Sequence, residues 1–384
     1  MPPKDTIWEA APHTLAKIEI LSNYLFLYMR ILGRSRRKQP LLYIDGFAGP
    51  DEYTNAANGS PTSALRAISM SISELGDNWV AGNVHCVFIE EKQDRFENLK
   101  KRLDIFPENF NIRLYPYNST FVDSLRSVRQ KFPTAFQSSN PLFAFIDPFG
   151  AKGAPFQTIA ELLDSPCSEV LINFDTDGIH RIFQAQESAN HTQVLTEIYG
   201  NTSWRQVFKK HYNGSQQCQA VLALYKQRLR SLVDVKYVFA FEMRSASDSL
   251  NYYLLFASKH PLGLIKMKEA MKKIDQDGSY RFSDARIGQT PIFRFDEPAQ
   301  YSSTLYDKFK GRKVSYEELR DYTLNETPFV NPSKMLRELE KSDLISDVDY
   351  RGTRRKYSFA EDKTNSVTFA PQRKDIQDGL QFDY

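Results

Sequence analysis

The chain has 384 residues, 41% hydrophobic and 25% charged, with a formal net charge of +3. That suits one large globular domain plus a small one; no apolar run approaches the roughly 20 residues of a membrane span, and nucleic-acid contact would need local basic clusters. Met1-Pro2-Pro3-Lys4-Asp5 lacks a signal-peptide pattern, and Cys86, Cys167 and Cys218 stand too far apart for a disulfide framework or zinc cluster, so the expectation is a cytoplasmic, reduced, metal-free protein with no membrane partner.

Leu15 to Ile31 carries apolar residues at helical spacing, closed by Gly33 and an exposed basic turn of Arg34, Arg36, Arg37 and Lys38. Leu41 to Asp45 reads as the first strand. Ser60-Pro61 opens a helix, with Ser60 expected as its cap. Val84 to Glu90 is a second strand, with Cys86 as a small core hydrophobe, followed by a charged helix from Asp94 to Leu103. A third strand (Ile112 to Tyr117), a helix (Phe121 to Phe132), a fourth strand (Leu142 to Asp147) and a fifth (Glu169 to Phe174) continue a β-α alternation, which implies a parallel sheet with helices on both faces. Residues 178–235 read as a helical insertion. Tyr237 to Met243 and Asn251 to Ser258 are then joined by a short polar connection, which suits antiparallel neighbours only.

Asp275 to Gln300 is polar and irregular and reads as a linker. Three short helices are expected beyond it, from Thr304, from the capping box Ser315-Tyr316-Glu317-Glu318, and from Asn331-Pro332. A hairpin follows, with Leu344-Ile345 and Tyr357-Ser358-Phe359 bracketing Arg351, Arg354, Arg355 and Lys356. The expected domains are residues 1–296, a winged-helix-like module at 301–360 and a flexible tail at 361–384.

Two turns carry the chemistry. Asp45-Gly46-Phe47-Ala48-Gly49-Pro50 is a strand end turning through small residues, which let a cofactor approach the backbone; without a ligand it is a tight strand-to-helix turn. Glu90 ends the second strand, where a carboxylate can accept from both ribose hydroxyls; Glu91 competes for the role. Asn118, after the third strand, suits an adenine amino group, or simply a turn before a helix. Asp147-Pro148-Phe149-Gly150 offers a carboxylate and a rigid carbonyl to take both hydrogens of an exocyclic amine, and an aromatic ring to stack on its base. His13 and Lys17 share a helix face near this rim, and Asp175 and Asp177 flank it or serve as turn formers. The basic cluster at 351–356 suits phosphate contact. The expected fold is α/β, a Rossmann-like class I methyltransferase sheet using S-adenosylmethionine.

On these residues, together with Gly59-Ser60-Pro61, Phe88-Ile89-Glu90, Leu171-Ile172-Asn173-Phe174 and Tyr253 through Pro261, the chain resembles the three-Cys-motif partner protein (TcmP) family. The resemblance implies a class I methyltransferase fold and a neighbouring protein partner that carries a Cys motif. The Asp147 tetrad is also similar to the motif of tRNA guanine-N2 methyltransferases, which implies an RNA or DNA base as substrate. One departure is Asp51, where the family usually has a second glycine; a carboxylate there would crowd the cofactor. That residue favours an alternative expectation, a catalytically degenerate fold serving as a scaffold.

Overall fold

Apolar runs too short for helices become the strands of one sheet, and the helices between them cover its two faces. The computed structural model describes residues 5–137, 139–184, 189–208, 214–289 and 297–371. The chain divides into two units, residues 1–292 and 293–384. In the first, α1 (Pro12–Ser35), β1 (Leu41–Asp45), α2 (Ser60–Leu75), β2 (Val84–Ile89), α3 (Gln93–Asp104), β3 (Ile112–Tyr117), α4 (Phe121–Lys131) and α5 (Pro133–Gln137) lead to β4 (Leu142–Ile146). Then come α6 (Phe156–Asp164), β5 (Ser168–Phe174), α7 (Thr176–Gln184), α8 (Ala189–Tyr199), α9 (Arg205–Phe208) and α10 (Gly214–Leu232). The hairpin β6 (Tyr237–Arg244) and β7 (Leu250–Ser258), then α11 (Pro261–Ile274) and the short β8 (Arg281–Ser283), close the unit.

The sheet has eight strands in the order β3-β2-β1-β4-β5-β7-β6-β8. The first five are mutually parallel. Strand β7 inserts antiparallel between β5 and β6, as the short polar connection requires. Strands β1 and β4 are buried along their whole length, which matches their apolar sequences, interrupted only by the terminal Asp45 of β1.

Successive side chains of a strand point to opposite faces. Leu42, Ile44, Leu142, Ala144, Ile146, Val170 and Ile172 therefore enter one core, shared with α4, α6 and the helices after β5. Ile179, Phe183, Trp204, Val221 and Tyr225 belong to that same core, so the helices after β5 extend the sheet's packing. The opposite parity faces α1, whose Tyr24 ring packs 5.1 Å from Phe143 and 5.3 Å from Phe256.

The residues expected to be a linker are in part structured. Residues Arg281–Ser283 pair in parallel with β6 and extend the sheet edge, because Asp277 gathers Arg281 and Arg286 and pins the turn before the strand. Residues 290–296 lie outside the described ones.

The second unit contains α12 (Pro298–Phe309), β9 (Lys313–Ser315), α13 (Tyr316–Glu326), α14 (Ser333–Lys341), β10 (Ile345–Tyr350) and β11 (Thr364–Phe369). Ser315 caps α13 as its sequence signature implies, its Oγ accepting from the Glu318 N–H at 3.1 Å. Two expectations are corrected. The partner of β10 is β11 and not Tyr357-Ser358-Phe359, and the sheet order is β10-β11-β9. Residues 364–369 are thus a strand, where a tail from 361 was expected. Val367 and Phe369, two residues apart on one face of the strand, join Phe309, Leu319, Leu336 and Phe359 in the core. Residues 372–384 lie outside the described ones.

Candidate active site

A parallel sheet whose strand order reverses direction leaves a crevice outside the carboxyl ends of the strands at the reversal. Here β1 leads outward to β2 and β3 on one side, and β4 leads to β5 on the other, so the crevice opens between the ends of β1 and β4. The two glycine-bearing turns singled out in the sequence leave those two ends. A cavity of about 340 Å³ lies there, lined by Phe47, Ala48 and Gly49 from the first turn and by Asp147, Pro148, Phe149 and Gly150 from the second.

Strand parity decides which side the acids take, and of Asp45 and Asp147 only Asp147 lines the cavity. Asp45 and Asp147 continue the α1-facing series of β1 and β4, and Asn173 does so on β5. Asp147 is held from two sides: Oδ1 accepts from the Asn173 amide at 2.6 Å, and Oδ2 pairs with the Lys17 ammonium at 2.5 Å. Lys17 is 5% exposed and projects from α1, its ammonium 5.3 Å from the Tyr252 ring centre. One turn earlier, His13 Nδ1 lies 2.7 Å from Asp284 and Nε2 lies 3.3 Å from the Asn251 amide. Both α1 residues flagged in the sequence thus line the cavity. Asp175 lines it too but uses Oδ1 to accept from the Gly178 N–H, whereas Asp177 pairs with Arg181.

Asp45 is fully buried beneath the first turn, and its Oδ2 has no hydrogen-bond partner. Burial raises its carboxyl to about 7, against the opposing pull of the Ser60 hydroxyl and the Phe47 N–H. Gly46 and Gly49 serve different ends. A Cβ on Gly46 would strike the Phe121 ring, so that glycine is demanded by packing, whereas Gly49 has φ +64° and its Cβ direction opens toward Trp8.

Asp51 does not crowd this space. With φ +62°, the left-handed conformation that favours glycine, it turns its carboxylate onto the start of α2. Oδ1 accepts from the N–H groups of Gly59 and Thr62, the Thr62 hydroxyl donates to Oδ2, and Arg102 lies 3.8 Å away. Asp51, not Ser60, is therefore the side chain that satisfies this helix start, because the loop folds back to deliver a charged acceptor.

Glu90 and Asn118 sit at the neighbouring strand ends but outside the lining of this cavity. Glu90 is 6% exposed and accepts from the Lys92 N–H at 2.8 Å; burial raises its carboxyl, opposed by that N–H and by Arg95. Asn118 donates to the carbonyls of Glu90 and Glu91, clasping the end of β2. Between these residues and the cavity stands a group that no sequence motif marks. The buried Arg95 guanidinium lies 4.6 Å from the Trp8 ring centre and 5.0 Å from that of Phe149. Trp8 is fixed by the Thr54 N–H donating to its carbonyl and by paired hydrogen bonds between Ala10 and Asn55. The meeting of Trp8 and Arg95 is a product of the fold.

In the second unit the basic cluster is divided. Arg354 makes a bidentate pair with Glu340 at 2.9 and 2.6 Å, lies over Phe359 and donates to the Ser358 carbonyl. It is a brace for the loop between β10 and β11. Arg351, Arg355 and Lys356 are exposed.

Removing one member of a buried ion pair strands the other. Lys17→Met is expected to lower unfolding free energy by about 3 kcal/mol, the low end of the range for breaking such pairs, as read from urea titration. A loss below about 1 kcal/mol, the range of a surface pair, would show that Asn173 and solvent suffice for Asp147.

No protein-family model and no curated protein matches the sequence. Among solved structures, the chain is similar to a protein provisionally described as a methyltransferase from Porphyromonas gingivalis W83, at 10% identity and a TM-score of 0.27, covering 61% of this chain and 40% of that one. It is similar to one provisionally described as a caffeoyl-CoA O-methyltransferase from Staphylococcus aureus, at 13% identity and a TM-score of 0.28, covering 61% and 82%. A third, provisionally described as a sarcosine dimethylglycine methyltransferase from Galdieria sulphuraria, matches at 9% identity and a TM-score of 0.27, covering 62% and 84%. The strand order itself, five parallel strands followed by a hairpin whose β7 lies antiparallel between β5 and β6, makes the first unit an open α/β sheet. No helix among the described residues is long and apolar enough to cross a membrane.

Proposed function

We propose that the first unit is an S-adenosylmethionine-dependent methyltransferase acting on an exocyclic amino group of a nucleic-acid base. The observation that carries this reading is the cavity at the sheet's reversal point, lined by both turns, with an unpartnered, buried Asp45 oxygen beneath it. The residues fit the cofactor. Asp45 offers an acceptor to an ammonium group, Gly49 leaves the backbone accessible, and Glu90 offers a carboxylate for ribose hydroxyls. When bound, S-adenosylmethionine supplies an electrophilic methyl group. Asp147 is an aimed acceptor: Lys17 and Asn173 fix its orientation, and a carboxylate that accepts two contacts keeps lone pairs for a third. Phe149 is 44% exposed at the rim and can stack on a base, and the nitrogen that gains the methyl group gives up one proton.

The helix-strand-helix-helix-strand-strand order of the second unit supports reading it as a winged helix, with Arg351, Arg355 and Lys356 on the loop between its last strands. In this reading it supplies phosphate contacts, and a Cys-motif protein, as the family resemblance implies, is a further partner. The competing reading is a scaffold without catalysis. It is favoured by one arrangement: Asp51 already occupies the N–H groups at the start of α2, a natural anion site.

Calorimetry with S-adenosylmethionine separates the two. If Asp45 must be ionised to hold the ammonium, affinity is expected to rise about tenfold from pH 6 to pH 8, because a carboxyl titrating near 7 goes from mostly protonated to mostly ionised. In Asp45→Asn the pH dependence should vanish and binding should be weak throughout. No binding at millimolar cofactor at either pH would leave the scaffold reading standing.

For the chemical step, Asp147→Ala is expected to abolish methyl transfer to RNA or DNA substrates while cofactor affinity changes only a few-fold, since the carboxylate serves the acceptor. Retained turnover would reduce the tetrad to a structural turn. For the second unit, replacing Arg351, Arg355 and Lys356 with Ala is expected to flatten the salt dependence of nucleic-acid binding by about 0.7 to 0.9 log units for each phosphate that is no longer neutralised. An unchanged slope would reassign the loop to protein contacts.

A further inference from the structure

A second cavity, of about 600 Å³, lies at the opposite end of the sheet, outside the amino ends of β4 and β5 and the carboxyl end of β7. It shares no lining residue with the first. Its volume falls in the ordinary range of small-molecule sites, roughly 300 to 1,000 Å³. Three features give it a chemistry. The first is an acid at its inner end: Glu169, 8% exposed, whose Oε1 accepts from the Ser258 hydroxyl at 2.8 Å and whose Oε2 accepts from the Tyr24 hydroxyl. Each oxygen thus has one donor and retains acceptor capacity, with Oε1 close against the backbone of Gly263. Burial raises this carboxyl to about 7.

The second feature is a wall of rings and apolar groups. Tyr24, Tyr28, Ile31 and Leu262 line the space, and the Tyr28 hydroxyl is buried there without a hydrogen-bond partner. A buried hydroxyl without a partner costs free energy that a ligand can recover. The third is a cationic mouth formed by Arg36, Lys259 and Lys266. Lys266 is shared with Glu269 and Lys259 with the Asp164 carbonyl, while the Arg36 guanidinium approaches the Cys167 sulfur at 3.7 Å, a weak acceptor that leaves most of its donors to an anion. Arg36 comes from the basic turn that the sequence presents and that the first site does not use.

We propose that this cavity binds a guanine nucleotide, with the base edge on Glu169 and the phosphate at Arg36. The acceptor pattern selects the base. When Glu169 is ionised, guanine presents two adjacent N–H donors, N1–H and N2–H, to the two oxygens of its carboxylate, whereas adenine presents a donor beside an acceptor, and its N1 would meet a carboxylate oxygen. A planar apolar body suits the tyrosine-lined wall, and an anion suits the mouth. This site is independent of the methyltransferase reading, since it shares no lining residue with the first cavity.

The test is calorimetric titration of the full chain with GMP, guanosine, AMP and inorganic phosphate, with saturating S-adenosylhomocysteine present and absent. GMP should bind saturably in both conditions, guanosine about tenfold more weakly for want of the Arg36 contact, and AMP and phosphate not measurably over the same range. Leu262→Trp fills the mouth from an exposed position, so it should fold normally and abolish GMP binding, and Arg36→Ala should reduce GMP affinity to that of guanosine. Glu169→Gln, which places an N–H against the guanine donors, should erase the preference for GMP over AMP. The proposal fails if GMP does not bind, if Leu262→Trp binds it unchanged, if AMP binds equally to the parent protein, or if S-adenosylhomocysteine displaces it.

Discussion

The pleat of the central strands is the constraint on which this molecule depends. Side chains alternate with period two, so fixing Leu42 and Ile44 in one core obliges Tyr43 and Asp45 to face α1. The same rule on β4 sends Asp147 to that face, and on β5 it sends both Glu169 and Asn173 there. Acids that are scattered through the sequence therefore converge on one helix. Helix α1 has 24 residues, which is about 36 Å of rise, enough to run past both ends of the strands it covers. Lys17 answers Asp147 at one end, and Tyr24 answers Glu169 at the other.

Those two answers differ in kind. Asp147 meets a full positive charge plus an amide, so its own charge is balanced within the fold. Glu169 meets hydroxyls only, which orient it without neutralising it, and burial accordingly holds its carboxyl near neutrality. Asp45 belongs with Glu169 in this respect, with one oxygen unanswered. A fold that leaves a buried carboxyl short of partners gives up stability there, and such arrangements concentrate at ligand sites. Asp51 marks the contrast: a buried carboxylate fully engaged by α2 and Arg102 has nothing left to offer a ligand.

Much of the fold is legible in the sequence because it rests on local patterns. The strand runs, the antiparallel closing hairpin and the two glycine turns are all short-range signals, and the structure places them where those signals stand. Three features that are not legible share a cause. Strand β11 reads as tail because Thr364-Asn365-Ser366-Val367-Thr368-Phe369 is mostly polar; it is a strand because only alternate residues need a core. Ser60 reads as a helix cap because it stands next to the helix, yet Asp51, nine positions upstream, is the acceptor that reaches the free N–H groups. Trp8 and Arg95 carry no motif at all; their contact with Phe149 depends on three separate segments meeting. Pairings between distant segments leave no mark on local spacing, so motifs reveal the strand ends and not what covers them.

The same argument bears on how a run of charge should be read. Arg351, Arg354, Arg355 and Lys356 look equivalent in sequence, but a guanidinium held bidentately by a carboxylate is electrostatically spent and sterically fixed. Arg354 also lies over Phe359, which is part of the second unit's core, so its removal would loosen the loop that displays its neighbours. Its contribution to any phosphate contact is therefore indirect: it sets the conformation from which Arg351, Arg355 and Lys356 project. Counting cations overstates such a surface, and the side chain with the best geometry is the one already used by the fold.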